Sequence, residues 1–179
     1  MFKRLNELLT AYKQKDPAAH SKLEIFLLYP GVHALICHRV ANWLYRKNLR
    51  FLARWVSEGA RRRTGIDIHP GATIGRRLVI DHGTGIVIGE TAVLGDDILL
   101  YQGSTLGGSG KDTGKRHPTL ENHVTVGAGA KVLGSFTVGQ GSRIAANAVV
   151  LSAVPEYATA VGVPARVVKV AGRRVDDLD

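Results

Sequence analysis

Between Ile68 and Pro155 the chain places an aliphatic residue at nearly every sixth position, and this period decides the fold class. The clearest run opens its units with Leu120, Val126, Val132, Val138, Ile144 and Val150. An α-helix repeats every 3.6 residues and a strand every two, so neither alone produces a strict period of six. Hexapeptide repeats are typical of a parallel β-helix, in which three short strands and three turns make one triangular coil. The pattern therefore predicts stacked coils with the aliphatic side chains inside.

The same frame extends to earlier coils and is interrupted twice. One coil opens at Ile68 and the next at Ile88, with a slip of two residues at Ile86-Val87 between them. A polar, glycine-rich loop then interrupts the repeat over 107–119. Two last coils fill 120–155, so the sequence predicts about four coils with one extruded loop. Insertions in solenoids collect on one face and often carry the binding site.

The residues before the repeat have a helical pattern instead. Between Gly31 and Asn48 apolar residues recur at spacings of three and four, which places one apolar stripe along a helix. Gly65 marks the boundary with the repeat. We therefore expect a mainly β protein with three parts: an α-helical N-terminal domain over 1–64, a left-handed parallel β-helix over 65–168 that carries the loop 107–119, and a C-terminal tail over 169–179.

Composition and charge narrow the class of protein. The single cysteine, Cys37, excludes a framework of disulfides and is typical of a reducing compartment, so we expect a cytoplasmic protein. No apolar run approaches the roughly 20 residues that a membrane-spanning helix requires, so we expect no membrane partner. The net charge of +9 is concentrated in residues 1–63. These basic residues are spread over helical faces without an aromatic platform, so we expect a solvated surface and no nucleic-acid partner.

Acidic and imidazole side chains lie beside the interruptions of the repeat. Asp67 begins the first coil and Asp81-His82 ends it, and the fifteen residues from Asp67 to His82 are nearly one coil. This spacing would bring the two together on neighbouring coils, where a carboxylate orients an imidazole for proton abstraction. Asp and His are also common in turns, so a structural role stays open. Arg116-His117 on the loop adds a carboxylate-binding guanidinium group and a further hydrogen-bonding ring.

These residues belong to longer motifs that together resemble one family. The motifs are Asp67-Ile-His-Pro-Gly-Ala-Thr-Ile-Gly, Asp81-His-Gly-Thr-Gly-Ile-Val-Ile-Gly-Glu-Thr, Thr105-Leu-Gly-Gly-Ser-Gly-Lys, Lys115-Arg-His-Pro-Thr, Gly127-Ala-Gly-Ala-Lys-Val-Leu-Gly and Val161-Gly-Val-Pro-Ala-Arg. With their linked spacings, over roughly residues 16 to 168, they strongly resemble the bacterial serine O-acetyltransferases in a short form. The resemblance implies transfer of acetyl from acetyl-CoA to the hydroxyl of L-serine, on the route to cysteine.

The resemblance also implies a role for individual positions. His82 would be the general base and Asp67 its orienting partner, and positioned general-base catalysis typically contributes about 10²–10⁴-fold. Serine would be held by Asp16, Asp81, Arg116 and His117. Acetyl-CoA would be held by Gly108, Ala128, Gly129, Lys131 and Arg143, and no metal is implied. Asp16 equally suits a plain helix cap, and Lys131 and Arg143 equally suit a solvated surface.

An assembly and further partners follow from the same resemblance. Members of the family form trimers with sites between neighbouring solenoids, and long members join two trimers through a larger helical domain. This chain has only about 65 residues before its solenoid, so we expect a homotrimer and leave a dimer of trimers open. L-Cysteine is expected as a feedback inhibitor at the serine site. The family generally binds cysteine synthase through a C-terminal isoleucine, and this sequence ends Val175-Asp-Asp-Leu-Asp, so that complex is not expected.

Three other functions stay open on the sequence alone. A zinc hydratase like γ-type carbonic anhydrase would use His82, His117 and His123 from neighbouring chains, although a zinc site does not need Asp81. A non-catalytic scaffold would bind a partner through its N-terminal helices. An acetyltransferase for sugars or antibiotics would differ only in its acceptor, and Arg116 favours an acceptor that carries a carboxylate.

Overall fold

The computed structural model describes residues 2–108, 110 and 113–175 of the chain. Four helices come first: α1 (Phe2–Lys15), α2 (Lys22–Leu28), α3 (Pro30–Arg46) and α4 (Arg50–Thr64). Short strands then follow one another: β1 (Asp67–Ile68), β2 (Thr73–Ile74), β3 (Val79–Asp81), β4 (Val87–Ile88), β5 (Val93–Leu94), β6 (Leu99–Tyr101), β7 (Thr105–Gly107), β8 (Thr119–Leu120), β9 (Thr125–Val126), β10 (Lys131–Leu133), β11 (Thr137–Val138), β12 (Arg143–Ile144), β13 (Val149–Val150), β14 (Ala158–Val161), β15 (Arg166–Val170) and β16 (Arg173–Arg174).

Successive strands visit three parallel sheets in turn. Sheet A has the order β1-β4-β7-β10-β13, sheet B has β2-β5-β8-β11, and sheet C contains β3-β6-β9-β12-β14. A bridge between Val138 and Val154 adds a fifth position to sheet B. The chain therefore completes about five coils of a triangular solenoid. The predicted fold class, a mainly β solenoid of hexapeptide repeats behind N-terminal helices, is confirmed.

The predicted number of four coils was one too few. Leu106 keeps the six-residue frame after Leu100 and is fully buried on β7, so the third coil opens before the loop. The loop 107–119 lies inside this coil, between β7 and β8, although its residues Ser109, Lys111 and Asp112 lie outside the described part of the chain. In the last coil only four residues separate Val150 from Val154, which hides the repeat there.

The interior is a column of aliphatic side chains. On sheet C it consists of Ile80, Leu100, Val126, Ile144 and Ala160, none more than 2% exposed. The strand registers place each of these residues on the next, at the roughly 4.8 Å spacing of hydrogen-bonded strands. Burial of apolar surface stabilises such a column by about 25 cal/mol per Å².

The C-terminal strands extend sheet C beyond the last coil. The predicted end of the β-helix at 168 falls inside β15, which pairs antiparallel with β14 and then with β16. These two strands cover the edge of the last coil, which would otherwise present unpaired backbone groups. Residues 169–174 are therefore largely strand and turn. Residues 176–179, on which the expectation about cysteine synthase depends, lie outside the described part of the chain.

Helices α2 and α3 form a bent pair that packs on the first coil. The Ser21 Oγ accepts from the Glu24 N–H at 3.1 Å and begins α2, and Pro30 begins α3. Val32 and Leu35 of α3 are buried against the solenoid. No single helix in the described residues is long and apolar enough to cross a membrane, and the two helices pass that test by length and composition only when combined across their 67° bend.

Tyr12 joins the helices to the free edge of the solenoid. Its buried hydroxyl accepts from the Ile80 N–H at 3.0 Å and donates to the Ile80 carbonyl at 3.3 Å. Ile80 lies on β3, the first strand of sheet C, whose outer side has no neighbouring strand among the described residues. A Cβ on Gly31 of α3 would overlap the Tyr12 hydroxyl, so glycine allows this contact. The Tyr12 hydroxyl therefore gives a hydrogen-bond partner to both the N–H and the carbonyl of Ile80, the residue directly before Asp81.

We expect Tyr12→Phe to lower the free energy of unfolding by about 1–3 kcal/mol, because it leaves two buried backbone groups of Ile80 without a partner. Urea denaturation measures the change. Tyr157→Phe is the matched control, since its exposed hydroxyl only accepts from the Gln140 side chain. Equal, small effects of the two substitutions would contradict the importance of the Tyr12 contact.

Candidate active site

His82 lies in the turn between β3 and β4, at the corner where sheet C meets sheet A. Eight residues separate Ile80 from Ile88, whereas six separate Leu100 from Leu106 one coil later. The turn therefore carries two extra residues, which correspond to the slip seen in the sequence. His82 has a φ of 57° and its side chain is 78% exposed. The extra length lifts the imidazole out of the solenoid wall.

Asp67 lies beside this turn, as its spacing predicted, but no hydrogen bond or ion pair within 4.0 Å joins its side chain to His82. The Gly85 N–H donates to the Gly65 carbonyl at 2.9 Å, and the Asp67 N–H donates to the Ile86 carbonyl at 2.9 Å. The two segments are therefore hydrogen-bonded neighbours on successive coils. Among the described residues, the carboxylate within 4.0 Å of the His82 ring belongs to Asp81, whose Oδ1 is 4.0 Å from Nε2. The Asp67–His82 dyad stays a prediction.

Asp16 brings a further carboxylate to the same corner. Its Oδ2 accepts from the Tyr29 hydroxyl at 2.5 Å, and its Oδ1 accepts from the Ala18 N–H at 2.8 Å. The pKa of Tyr29 is raised to about 12, mainly by the first of these bonds, and the charge of Asp81 is one of the smaller causes. Asp16 and Asp81 therefore act on the same phenol. Sequence reasoning missed Tyr29, because nothing in the repeat marks a helix-end tyrosine as a partner of Asp16.

Arg116 lies at a different corner, where sheet A meets sheet B. Its Nη2 donates to Glu90 Oε2 at 2.5 Å, and the Tyr45 hydroxyl donates to Glu90 Oε1 at 2.7 Å. These two bonds, that of Tyr45 first, hold the pKa of Glu90 below its usual value. The guanidinium group is therefore fixed on one side and keeps its remaining N–H groups for a ligand. Sequence reasoning quoted Glu90 within a motif but did not assign it this role.

His117 is held by Thr91 in one tautomer. The Thr91 N–H donates to His117 Nδ1 at 3.1 Å, and the Thr91 hydroxyl lies 2.9 Å from the same atom. Nδ1 is therefore an acceptor, and the hydrogen-bond network assigns the proton to Nε2. Burial is the main cause that lowers the pKa of His117. A Cβ on Gly89 would overlap the ring, so a glycine is needed there.

One chain does not bring these two groups of residues together. His82 follows sheet C, whereas Arg116 lies in the loop between sheets A and B, so the width of sheet A separates them. One side of the triangle has six residues, and at about 3.3 Å per residue it is up to about 20 Å long. A small amino acid cannot span that distance. The two corners therefore lie apart on a single solenoid.

The His82 corner continues as a column of glycines. Gly85, Gly103 and Gly129 follow one another on successive coils with φ of 77°, 69° and 70°. A Cβ on Gly85 would lie 3.6 Å from the Gly103 Cα, and one on Gly103 would lie 3.5 Å from the Gly129 Cα. Glycine adopts this conformation without strain and leaves the backbone open to a ligand. With Ala128 beside Gly129, the column forms a strip of small residues that begins near His82.

The other residues predicted to bind acetyl-CoA are divided between the two corners. Lys131 Nζ donates to the Gly103 carbonyl at 2.5 Å and to Thr105 Oγ1 at 3.1 Å, so it lies beside the glycine column. Arg143 is exposed on β12 in sheet C. Gly108 belongs to the other corner, since a Cβ there would lie 3.2 Å from the Arg116 carbonyl oxygen.

The three histidines of the zinc alternative lie at three different corners. His82 follows β3, His117 precedes β8, and His123 lies in the turn between β8 and β9. Within the described part of one chain, no three His, Cys, Asp or Glu side chains are grouped so as to hold a metal ion. A zinc site would therefore need several chains, as the sequence analysis stated.

Curated relatives match all or most of the chain at high identity. Serine acetyltransferase from Synechococcus elongatus is 55% identical over 179 residues, which is 100% of this chain and 73% of the relative. Serine acetyltransferase from Helicobacter pylori strain J99 is 60% identical over 155 residues, which is 87% of this chain and 91% of the relative. No protein-family model matches the chain.

Solved structures of the same kind superpose closely. Neisseria gonorrhoeae serine acetyltransferase in complex with serine has a TM-score of 0.90 at 41% identity and covers 94% of this chain and 69% of its own. The Brucella abortus enzyme in complex with coenzyme A has a TM-score of 0.93 at 42% identity. The match covers 96% of this chain and 68% of that enzyme. A serine acetyltransferase complex with cysteine has a TM-score of 0.91 at 43% identity. The match covers 93% of this chain and 69% of that protein.

We expect His117 to remain neutral, with the proton on Nε2, at pH values below the ordinary histidine pKa of about 6.5. A lowered pKa in the folded protein extends the neutral form to lower pH, and the stability linked to it is lost as pH falls. Nitrogen-15 NMR of the labelled imidazoles reports both protonation and tautomer. A proton on Nδ1, or a pKa at or above the ordinary histidine value, would contradict the Thr91 contact.

Proposed function

The chain belongs to the serine acetyltransferases, a class of acyltransferase enzymes, and we propose that it transfers acetyl from acetyl-CoA to the hydroxyl of L-serine. The products would be O-acetyl-L-serine and free CoA, on the route to cysteine. The observation that carries the proposal is the pairing of an exposed imidazole flanked by carboxylates with a fixed guanidinium group at the adjoining corner. The first half suits a hydroxyl and an ammonium group, and the second suits a carboxylate.

His82 is the general base of the proposed reaction. It takes the proton of the serine hydroxyl as that oxygen forms a bond to the carbonyl carbon of the thioester. The carbon–sulfur bond then breaks, and the imidazolium returns the proton to the departing CoA sulfur. A carboxylate stabilises the transient imidazolium. Asp67 has this role in the proposal, and the adjacency of its segment to the His82 turn supports it.

The serine would lie between the two corners with each charged end matched. Asp81 and Asp16 provide negative charge for the ammonium group, with Tyr29 fixing the Asp16 carboxylate. Arg116 and the Nε2–H of His117 are donors for the carboxylate. Because Glu90 and Thr91 hold these donors before any ligand arrives, little reorganisation is needed on binding.

Acetyl-CoA would lie along the strip of small residues that begins near His82. An extended pantetheine arm needs close approach to backbone groups, which Gly129 and Ala128 allow. Lys131 and Arg143 supply positive charge for the phosphates, and Gly108 would contact the arm from the neighbouring chain. The Brucella abortus enzyme, similar along 96% of this chain, has been solved with coenzyme A, which supports CoA as the product here.

The site would be completed by a second copy of the chain. A homotrimer places the corner between sheets C and A of one solenoid against the corner between sheets A and B of the next. Each interface then contains one His82 and one Arg116–His117 pair, from different chains. Such head-to-tail contacts close into a ring. A dimer of trimers stays open.

L-Cysteine is the proposed feedback inhibitor. It differs from serine only in a thiol for the hydroxyl, so groups that bind the ammonium and the carboxylate do not distinguish the two. A serine acetyltransferase similar to this chain has been solved with cysteine. The inhibition would be competitive with serine.

We expect His82→Ala to lower kcat about 10²–10⁴-fold with L-serine and acetyl-CoA, because it removes the base. Release of the CoA thiol measures the rate. His123→Ala is the matched control. Like His82, His123 has an exposed ring and a positive φ, and its ring lies 4.0 Å from a carboxylate, that of Asp97. The general-base proposal requires an active His123→Ala enzyme. A wild type that contains stoichiometric zinc and shows no serine-dependent release of the thiol would favour the hydratase instead.

Mixing two inactive variants tests the composite site. His82→Ala and Arg116→Ala chains co-expressed in equal amounts should recover about a quarter of wild-type activity, since random ring assembly gives that share of interfaces both intact residues. Each variant alone should be nearly inactive. If both residues served one site within one chain, the mixture would stay as inactive as its components.

A further inference from the structure

A basic cavity lies away from both corners, between α1, α3 and the turn from β2 to β3. Its volume is about 360 Å³. The charged side chains in its lining are Arg4, Arg39, Arg46, Arg76, Arg77 and Glu7. Five guanidinium groups thus surround a space that contains one carboxylate. None of these residues belongs to the acetyl-transfer site described above.

Three of these arginines have no anionic partner. Arg76 is paired with Glu7, and Arg77 forms two bonds of 2.6 Å with Asp97. In contrast, Arg4, Arg39 and Arg46 take part in no ion pair or side-chain hydrogen bond within the described part of the chain.

The surroundings oppose the charge of Arg39. Burial is the larger cause that lowers its pKa, and the positive charge of Arg4 is the other. The two groups therefore lie close enough to repel each other. Arg39 keeps enough of its surface exposed to meet a ligand from solvent, and an anion between it and Arg4 would screen the repulsion between the two charges.

The remaining polar lining adds no negative charge. Burial lowers the pKa of His38 to about 4, so this ring is neutral at physiological pH. Asn42 donates through Nδ2 to the Pro70 carbonyl at 2.7 Å. Leu8, Leu35 and Leu78 supply an apolar part of the wall. The cavity therefore combines unbalanced positive charge with space for a small organic group.

We propose that this cavity binds a small anion with a doubly charged phosphate or sulfate group, either free or carried by a metabolite. Guanidinium groups match such oxygens with paired, charge-assisted hydrogen bonds. Arg4 on α1 and Arg39 and Arg46 on α3 supply them, and Arg76 reaches the same space from the first coil. The ligand thereby ties the helices to the solenoid.

Isothermal titration with inorganic phosphate, sulfate and ribose 5-phosphate tests the proposal, with sodium chloride at matched ionic strength as the blank. We expect saturable binding of one anion per chain in the wild type and at least tenfold weaker binding in Arg4→Gln/Arg39→Gln. The control is Arg62→Gln/Arg63→Gln, two exposed arginines of α4 outside the cavity. It should bind like the wild type.

The outcomes separate the possible sources of the group. Tighter binding of ribose 5-phosphate than of phosphate identifies a metabolite-borne group, and equal binding identifies the free anion. Equal responses of all three proteins, or no saturable binding, would overturn the proposal. Arg46→Gln repeats the test if the double variant is unstable. The readout is binding and not turnover, so a negative result leaves the acetyl-transfer proposal unaffected.

Discussion

The structure depends on the register between successive coils. Each inward aliphatic residue lies on its counterpart in the coil before, as Leu100 lies on Ile80 and Val126 on Leu100. A strand in such a stack cannot accept an extra residue without turning its buried side chains outward. Additional residues are therefore confined to corners, and the two longest additions are the His82 turn and the loop with Arg116. The register that keeps the strands regular therefore also limits the candidate functional side chains of these additions to the corners.

The first coil has no coil before it to pair with, so its outer edge is left without strand partners, and the N-terminal helices cover that edge. Tyr12 supplies a donor and an acceptor to Ile80, the residue before Asp81. Tyr29, at the junction of α2 and α3, fixes the Asp16 carboxylate at the same corner. The helical segment thus covers the solenoid end and also fixes the Asp16 carboxylate, which accepts from the Ala18 N–H of its own turn.

The period of six predicted the fold class, the extruded loop and the adjacency of the Asp67 and His82 segments on successive coils, because each is a local consequence of strand geometry. The coil count was wrong where the period was hidden, beside Leu106 and between Val150 and Val154. Contacts between distant segments could not be predicted. The Tyr45–Glu90–Arg116 group and the bond from Thr91 to His117 join residues 26 or more positions apart. The Asp67–His82 contact depends on a side-chain rotamer, which no repeat specifies.

Sheet A is the face on which the proposed trimer would bring a second chain to the site. It lies between the two corners, and its outward positions, in register from coil to coil, are Asp67, Val87, Thr105, Lys131 and Val149. Val87 is 38% exposed although it is aliphatic and flanked by Asp67. A neighbouring solenoid on this face would cover Val87 and bring a loop corner towards His82. It would also remove water around the exposed imidazole, which strengthens each charge interaction that the transfer uses. In the proposed reaction the isolated coil would position the base, and the trimer would supply the environment in which that base acts.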